Sequence, residues 1–340
     1  MEFSSLMIQI ALFVAGLVLL YFGAEWTVKG ATTMAVNLGV SAIVVGVTVV
    51  ALGTSAPELV VGIIAALGKK PDIALGNVVG SNIANIGLII GVSGIIAPLS
   101  IRKETLKYEI PMVLLTALAL FALSLDNLLS RIDGAILLAM GVIFNILFIK
   151  KAMKDAKAKK ALEATLEKDI LQDGKKKSFF QSTLFNFFLT LIGIGFLVGG
   201  AELMVESASK VAHDYFGLSY LIIGLTIVAV GTSLPELAAS TAASLKNQGD
   251  IALGNVLGSN IYNIVLIIGV VALIYPLHVG EATIGLDLPI MLLFTIVFIF
   301  FLITGMTLVR WEATILLMGY IAFMVILYLR ETGISTFSLW

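Results

Sequence analysis

The chain has 340 residues, of which 59% are hydrophobic and only 13% charged, with a mean hydropathy of +1.07. That composition excludes a water-soluble domain and points to a polytopic membrane protein. A formal net charge of −1 leaves no basic face for nucleic acid, and the absence of cysteine removes disulfides and thiolate metal chemistry.

In chain order, apolar runs long enough to span a bilayer fall at 6–28, 40–67, 73–98, 109–125, 132–150, 181–205, 219–245, 251–275, 287–305 and 311–329. The first has an acidic start at Glu2 and spanning length, so it reads as a transmembrane helix and not as a signal peptide. Five spans, a lysine-rich loop and five more spans give an all-α membrane protein. The parts are a first five-helix repeat over 1–150, a linker loop over 151–178 and a second repeat over 179–340.

The halves repeat each other. Gly53-Thr54-Ser55-Ala56-Pro57-Glu58 returns as Gly231-Thr232-Ser233-Leu234-Pro235-Glu236, and Gly46/Gly224, Asn77/Asn255, Ser81/Ser259 and Asn85/Asn263 keep the same offset of 178. An odd number of spans per half forces the second copy to enter from the opposite side, an inverted-topology repeat. Placing the central loop in the cytoplasm puts sixteen Lys and Arg residues inside and five outside, which makes the N-terminus extracellular. The loop itself reads as a solvated tether, with Lys150, Lys151 and Lys154 beside the membrane able to touch anionic lipid.

Gly53 and Pro57 interrupt the second span, and an interruption in hydrocarbon is tolerated only inside protein or beside a wet cavity. The span is therefore expected to be two half-helices meeting near mid-membrane, with carbonyls freed around Val50 and Ala51 and, in the second copy, around Val228 and Ala229. Thr54, Ser55 and Glu58 converge by helical spacing, as do Thr232, Ser233 and Glu236. Ser81 and Asn85, and their mates Ser259 and Asn263, are four apart and share a face. A set of oxygens without nitrogen or sulfur suits a hard cation such as calcium, and two glutamates balance one divalent charge.

The bland reading is structural. Ser55-x-x-Glu58 and Ser233-x-x-Glu236 each fit a helix-capping box, and small polar residues glue membrane helices together. A charged residue in mid-membrane is costly, and finding it twice in inverted halves favours a site. Glu25, Glu202, Lys29 and Lys210 read as interfacial anchors, and His213 and His278 as surface residues.

Gly-Thr-Ser-x-Pro-Glu followed by Gly-Asn-x-x-Gly-Ser-Asn-Ile, in both halves, resembles the two alpha repeats of the calcium/cation antiporter superfamily, most closely its prokaryotic Na+/Ca2+ exchangers. That resemblance implies Ca2+ and Na+ as transported ions and no cofactor or enzymatic activity. It makes Glu58 and Glu236 the central calcium ligands. Thr54, Ser55, Thr232 and Ser233, with carbonyls near Ala51 and Ala229, would build sodium sites, Ser81 and Ser259 would add oxygens, and Asn85 and Asn263 would line the middle. Asn at both of the last positions, where potassium-dependent relatives carry an Asp, argues against potassium coupling. Hydroxyls in the motif, where proton-coupled relatives read Gly-Asn-Ala-x-Glu, favour sodium over protons. It also assigns sliding to the first and sixth spans, whose Gly16, Gly23, Gly193, Gly195, Gly199 and Gly200 suit a smooth moving surface. The expectation is a monomeric Na+/Ca2+ antiporter of the cell membrane. A Ca2+/H+ antiporter is the nearest alternative, and a non-transporting scaffold the reading from another class.

Overall fold

The computed structural model describes residues 2–68, 71–167, 182–214 and 231–332. Ten transmembrane segments form two inverted five-helix repeats. Eight described helices are long and apolar enough to cross a bilayer, and a bent pair makes a ninth. The tenth, the seventh in order, is described only in its second half.

Helix α1 (Glu2–Leu38) is followed by the bent pair α2 (Ala42–Thr54) and α3 (Ala56–Leu67), by α4 (Pro71–Ala84, continued as a π-helical turn Asn85–Ile90 and Gly91–Ile96), by the short α5 (Lys103–Lys107) and by α6 (Glu109–Leu123). Helix α7 (Arg131–Glu167) closes the first repeat. The second contains α8 (Thr183–Asp214), α9 (Leu234–Leu245), α10 (Gly249–Tyr262, a π turn Asn263–Ile268, then Gly269–Ile274), α11 (a π turn Thr283–Asp287, then Leu288–Gly305) and α12 (Arg310–Thr332). Helix starts follow from local chemistry. At α7 the Ser130 amide donates to Asp133 Oδ2 at 2.8 Å and the Asp133 amide to Ser130 Oγ at 3.3 Å, a reciprocal cap.

Three boundaries differ from expectation, the first being α8, which runs nine residues past position 205 to Asp214. Helix α1 runs ten residues past position 28, to roughly 55 Å at 1.5 Å per residue, so it crosses with tilt or projects from the bilayer. Helix α7 runs unbroken from the fifth span through Glu167. The first part of the linker is thus a helical extension of that span, and 168–178 lie outside the described residues.

The inverted symmetry is visible in four two-residue strands. Leu99–Ser100 (β1) pairs antiparallel with Thr307–Leu308 (β4), and Leu128–Leu129 (β2) with Leu277–His278 (β3). Each pair joins one repeat to the other, and the two lie on opposite faces, as the helix count requires. Asn127 and Met306, each one residue before its strand, both turn the chain through positive φ, 66° and 55°. His278 is exposed on β3, as read from sequence.

Helices α4 and α10 form the centre. Every residue from Ile251 to Tyr262 is buried, so α10 has no lipid-facing side there, and its Asn and Ser side chains meet only protein. Helices α1 and α8 pack against each other as an antiparallel pair at the edge. A Cβ on Gly16 would stand 2.7 Å from the Gly200 carbonyl, and one on Gly23 would stand 2.8 Å from that of Gly193. These glycines bring two backbones into contact. They therefore bind α1 to α8 and do not form a smooth face toward the rest of the protein. Gly195 and Gly199 face open space.

Candidate functional site: an ion cage between the repeats

The second span bends by 43° between α2 and α3. A π turn at Gly46–Val50 loosens α2, α2 ends at Thr54, and Pro57 occupies the first turn of α3, where its missing amide hydrogen is tolerated. The break is tighter than two unwound half-helices. The Ala51 carbonyl accepts the Ser55 amide at 3.0 Å and the Thr54 hydroxyl at 3.4 Å, so it is not freed, although a carbonyl keeps a second lone pair. Val228 and Ala229 lie outside the described residues.

Glu58 and Glu236 are each 1% exposed, and Ser55, one helical turn before Glu58, lies 3.2 Å from Glu236 Oε1. The two repeats therefore bring their carboxylates to one buried point. Neither capping box forms. Ser55 and Ser233 both occupy N-cap positions without a side-chain cap bond. The Ser55 hydroxyl instead crosses to the other repeat, 3.2 Å from Glu236 Oε1 and 3.0 Å from Ser259 Oγ. Thr54 donates to Asn255 Oδ1 at 3.0 Å, and Asn255 Nδ2 donates in turn to Ser240 Oγ at 3.0 Å and to the Glu236 carbonyl at 3.3 Å. Ser81 is buried on α4.

Asn85 and Asn263 open the π turns of α4 and α10, a distortion common at functional sites. Their amides are held by reciprocal bonds across the pseudo-two-fold axis. Asn85 Nδ2 donates to Asn260 Oδ1 at 2.9 Å, and Asn263 Nδ2 to Asn82 Oδ1 at 3.0 Å. The Asn82 amide is oriented by a second bond, Nδ2 to the Asn260 carbonyl at 3.4 Å, which leaves its Oδ1 to accept from Asn263. Among the buried oxygens without a hydrogen-bond partner in the described residues are four from two symmetry-related pairs: Glu58 Oε2, Glu236 Oε2, Asn85 Oδ1 and Asn263 Oδ1. All four are acceptors. Leaving such groups unpaired is costly, and acceptor oxygens of this kind suit a hard cation. The Ser233 hydroxyl is likewise buried without a partner.

Sequence reasoning assigned no role to Asn82, Asn255, Asn260 or Ser240. Three of them stand inside the doubled Gly-Asn-x-x-Gly-Ser-Asn stretch, and their repetition was the available signal.

The two repeats are flanked by unequal crevices. A cavity of about 660 Å³ between α3, α8 and the start of α9 reaches Pro57, Gly231 and Thr232 and is flanked by Glu202. Its symmetry mate, about 590 Å³ between α1 and α9, is flanked by Glu25 and ends at Lys246. This second cavity stops short of the break, where Thr54 is fully buried. Glu25 and Glu202 therefore line crevices, and Lys246 pairs with Glu25 at 3.6 Å.

The chain matches the family described as sodium/calcium exchanger protein over residues 8–150 and 185–329. It is 37% identical to a putative antiporter, CaxA, of Alkalimonas amylolytica, over 92% of this chain and 96% of that protein. It is 33% identical to the sodium/calcium exchanger MaX1 of Methanosarcina acetivorans, over 92% and 96%. Among solved structures it resembles the sodium-calcium exchanger NCX_Mj soaked with zero Na+ and Ca2+, with a TM-score of 0.81 and 32% identity over 95% of this chain and 99% of that one. With the doubled motif, the inverted fold and the acceptor cage in agreement, the chain belongs to the sodium/calcium exchanger family, whose members are membrane antiporters and not enzymes.

Proposed function

We propose that this protein exchanges Na+ for Ca2+ by alternating access through one shared site. The observation that carries the reading is the cage of four unpartnered acceptor oxygens, two of them from glutamates of opposite repeats. Two carboxylates neutralise one Ca2+. Glu58 and Glu236 would hold Ca2+ together with Asn85 and Asn263. Thr54, Ser55, Thr232, Ser233, Ser81 and Ser259, with the carbonyls near Ala51 and Ala229, would complete smaller sites for Na+. Hard cations of both kinds accept such oxygens, and one cage cannot be filled by both at once, so they compete.

The crevice that reaches Thr232 while its mate stops short of Thr54 supports the access half of the mechanism. Exchange of those two roles between the repeats would turn the site to the other face. The preponderance of Lys and Arg on the linker side supports an extracellular N-terminus and a cytoplasmic linker in a multi-pass cell-membrane protein. A monomer contains the whole cage.

The test is calcium uptake into proteoliposomes loaded with Na+, K+ or protons in turn. Uptake driven by the outward Na+ gradient and indifferent to a protonophore is the expected result. Uptake driven by the proton gradient and abolished by a protonophore would establish the Ca2+/H+ reading, and no uptake under any gradient would leave a scaffold.

A further inference from the structure

On the face that carries Arg102 and Asp250, a cavity of about 730 Å³ lies beneath the link between α1 and α2. One wall is the Gly39–Ser41 turn, where Gly39 has a φ of 68°. The others come from α5, the start of α6 and the middle of α7. Into it faces Glu109, 2% exposed, with Oε2 bearing no hydrogen-bond partner. The ion cage does not use this carboxylate.

The charges around it are mixed and layered. Lys151 lines the same cavity, its ammonium resting 3.5 Å from the centre of the Tyr108 ring, and Arg102 stands at the rim with its side chain 58% exposed, paired with Asp250 at 2.8 Å. Glu104 is the other acid on the wall. Two cations beside two acids are a poor cage for a metal ion, and no cluster of three metal-binding side chains occurs among the described residues. An anion alone would meet both glutamates. A ligand with an ammonium at one end and a phosphate next to it satisfies both layers.

The cavity also has a tail. Val40, Val44 and Ala152 are shared with a second groove of about 550 Å³, whose other walls include Met34, Val49 and Ile149. That groove is lined almost wholly by aliphatic side chains on α1, α2 and α7, and Ile149 and Met153 there are exposed. A polar chamber divided from an apolar trough by only three shared side chains matches an amphiphile.

We propose that this paired cavity binds a glycerophospholipid with a primary ammonium headgroup. The ammonium donates to Glu109, the phosphate lies toward Lys151 and Arg102, and an acyl chain occupies the groove between α2 and α7. Glu109 Oε2 is an acceptor in need of a donor, and a primary ammonium has three N–H groups where a trimethylammonium has none. The bound lipid braces the joint between α1 and α2 against α7.

Native mass spectrometry of the delipidated full-length protein, titrated with phosphatidylethanolamine, phosphatidylcholine and phosphatidylglycerol of identical chains, tests this. Phosphatidylethanolamine should bind about tenfold more tightly than phosphatidylcholine, equivalent to about 1.4 kcal/mol. Glu109→Gln should remove most of that preference. Val44→Trp, which fills the shared wall, should weaken both lipids alike. Should Glu109→Gln fail to fold, the unaltered protein titrated with mono-, di- and trimethylated phosphatidylethanolamine must show affinity falling as N–H groups are lost. Equal binding of the ethanolamine and choline lipids, or stronger binding of phosphatidylglycerol than of either, overturns the proposal.

Discussion

The Ser55 hydroxyl lies 3.2 Å from Glu236 Oε1, so a residue at the start of one helix serves a carboxylate of the opposite repeat and leaves its own helix end uncapped. The consequence separates site from scaffold. Ser55→Ala leaves Glu236 Oε1 and Ser259 Oγ without this partner, so it should lower thermal stability in ion-free buffer through those bonds and not through a lost cap. It should reduce calcium uptake by roughly 5- to 100-fold, from about 1–3 kcal/mol for a buried partner removed. A helix-capping role predicts a lower melting temperature with transport intact once the protein is folded.

Glu58→Gln and Glu236→Gln keep the shape of the cage and remove its charge. With two adjacent carboxylates no longer opposed, the double variant should melt higher than the parent protein in ion-free buffer. It should also lose the added stability that calcium confers, about 2.7 kcal/mol at a hundredfold excess over the dissociation constant. Melting curves with and without Ca2+ read both effects. A calcium-dependent shift that survives in the double variant would place the ion elsewhere.

How much of this was legible beforehand follows from which physics each feature used. Span count and inversion depend on hydropathy and on the odd number of helices, and both are written along the chain. The meeting of Glu58 and Glu236 followed from repetition, because a mid-membrane carboxylate is tolerated only with a partner. The Ser55 contact was hidden, since Ser-x-x-Glu spacing fits a cap as well as a cross-repeat bond, and only packing of α10 against the break decides between them. The Asn85–Asn260 and Asn263–Asn82 bonds were hidden in the same way. Sequence could show four repeated asparagines, not which of them hold the others. The glycines of α1 and α8 announced close packing without naming the neighbour.

That neighbour sets the third prediction. Gly23 and Gly193 each approach the other's carbonyl, so that a Cβ on either would stand 2.8 Å away. Gly23→Ala must push α1 and α8 apart, at a cost of about 1–3 kcal/mol for an overpacked contact. Gly199→Ala, at a position with open space, should cost nothing by comparison. Melting temperatures of the two variants check the contrast, and equal values would mean that the α1–α8 pair is not held by this contact.

If α1 and α8 move as one body over the core, a bond from α8 to the second span should stop exchange. The natural chain has no cysteine, so an introduced pair reports without background. Gly53 and Ile194 are placed for it: a Cβ built on Gly53 lies 3.0 Å from Ile194 Cγ2, and replacing Ile194 also removes the δ-carbon that would otherwise collide. In the reduced state Gly53→Cys/Ile194→Cys should exchange ions measurably. Oxidation should reduce uptake at least tenfold, and a reductant should restore it, while calcium binding by the oxidised protein persists because the cage itself is untouched. Oxidised protein that transports at the reduced rate would show that the pair does not slide across this surface, and the change of access would then have to arise in α2 and α3 themselves.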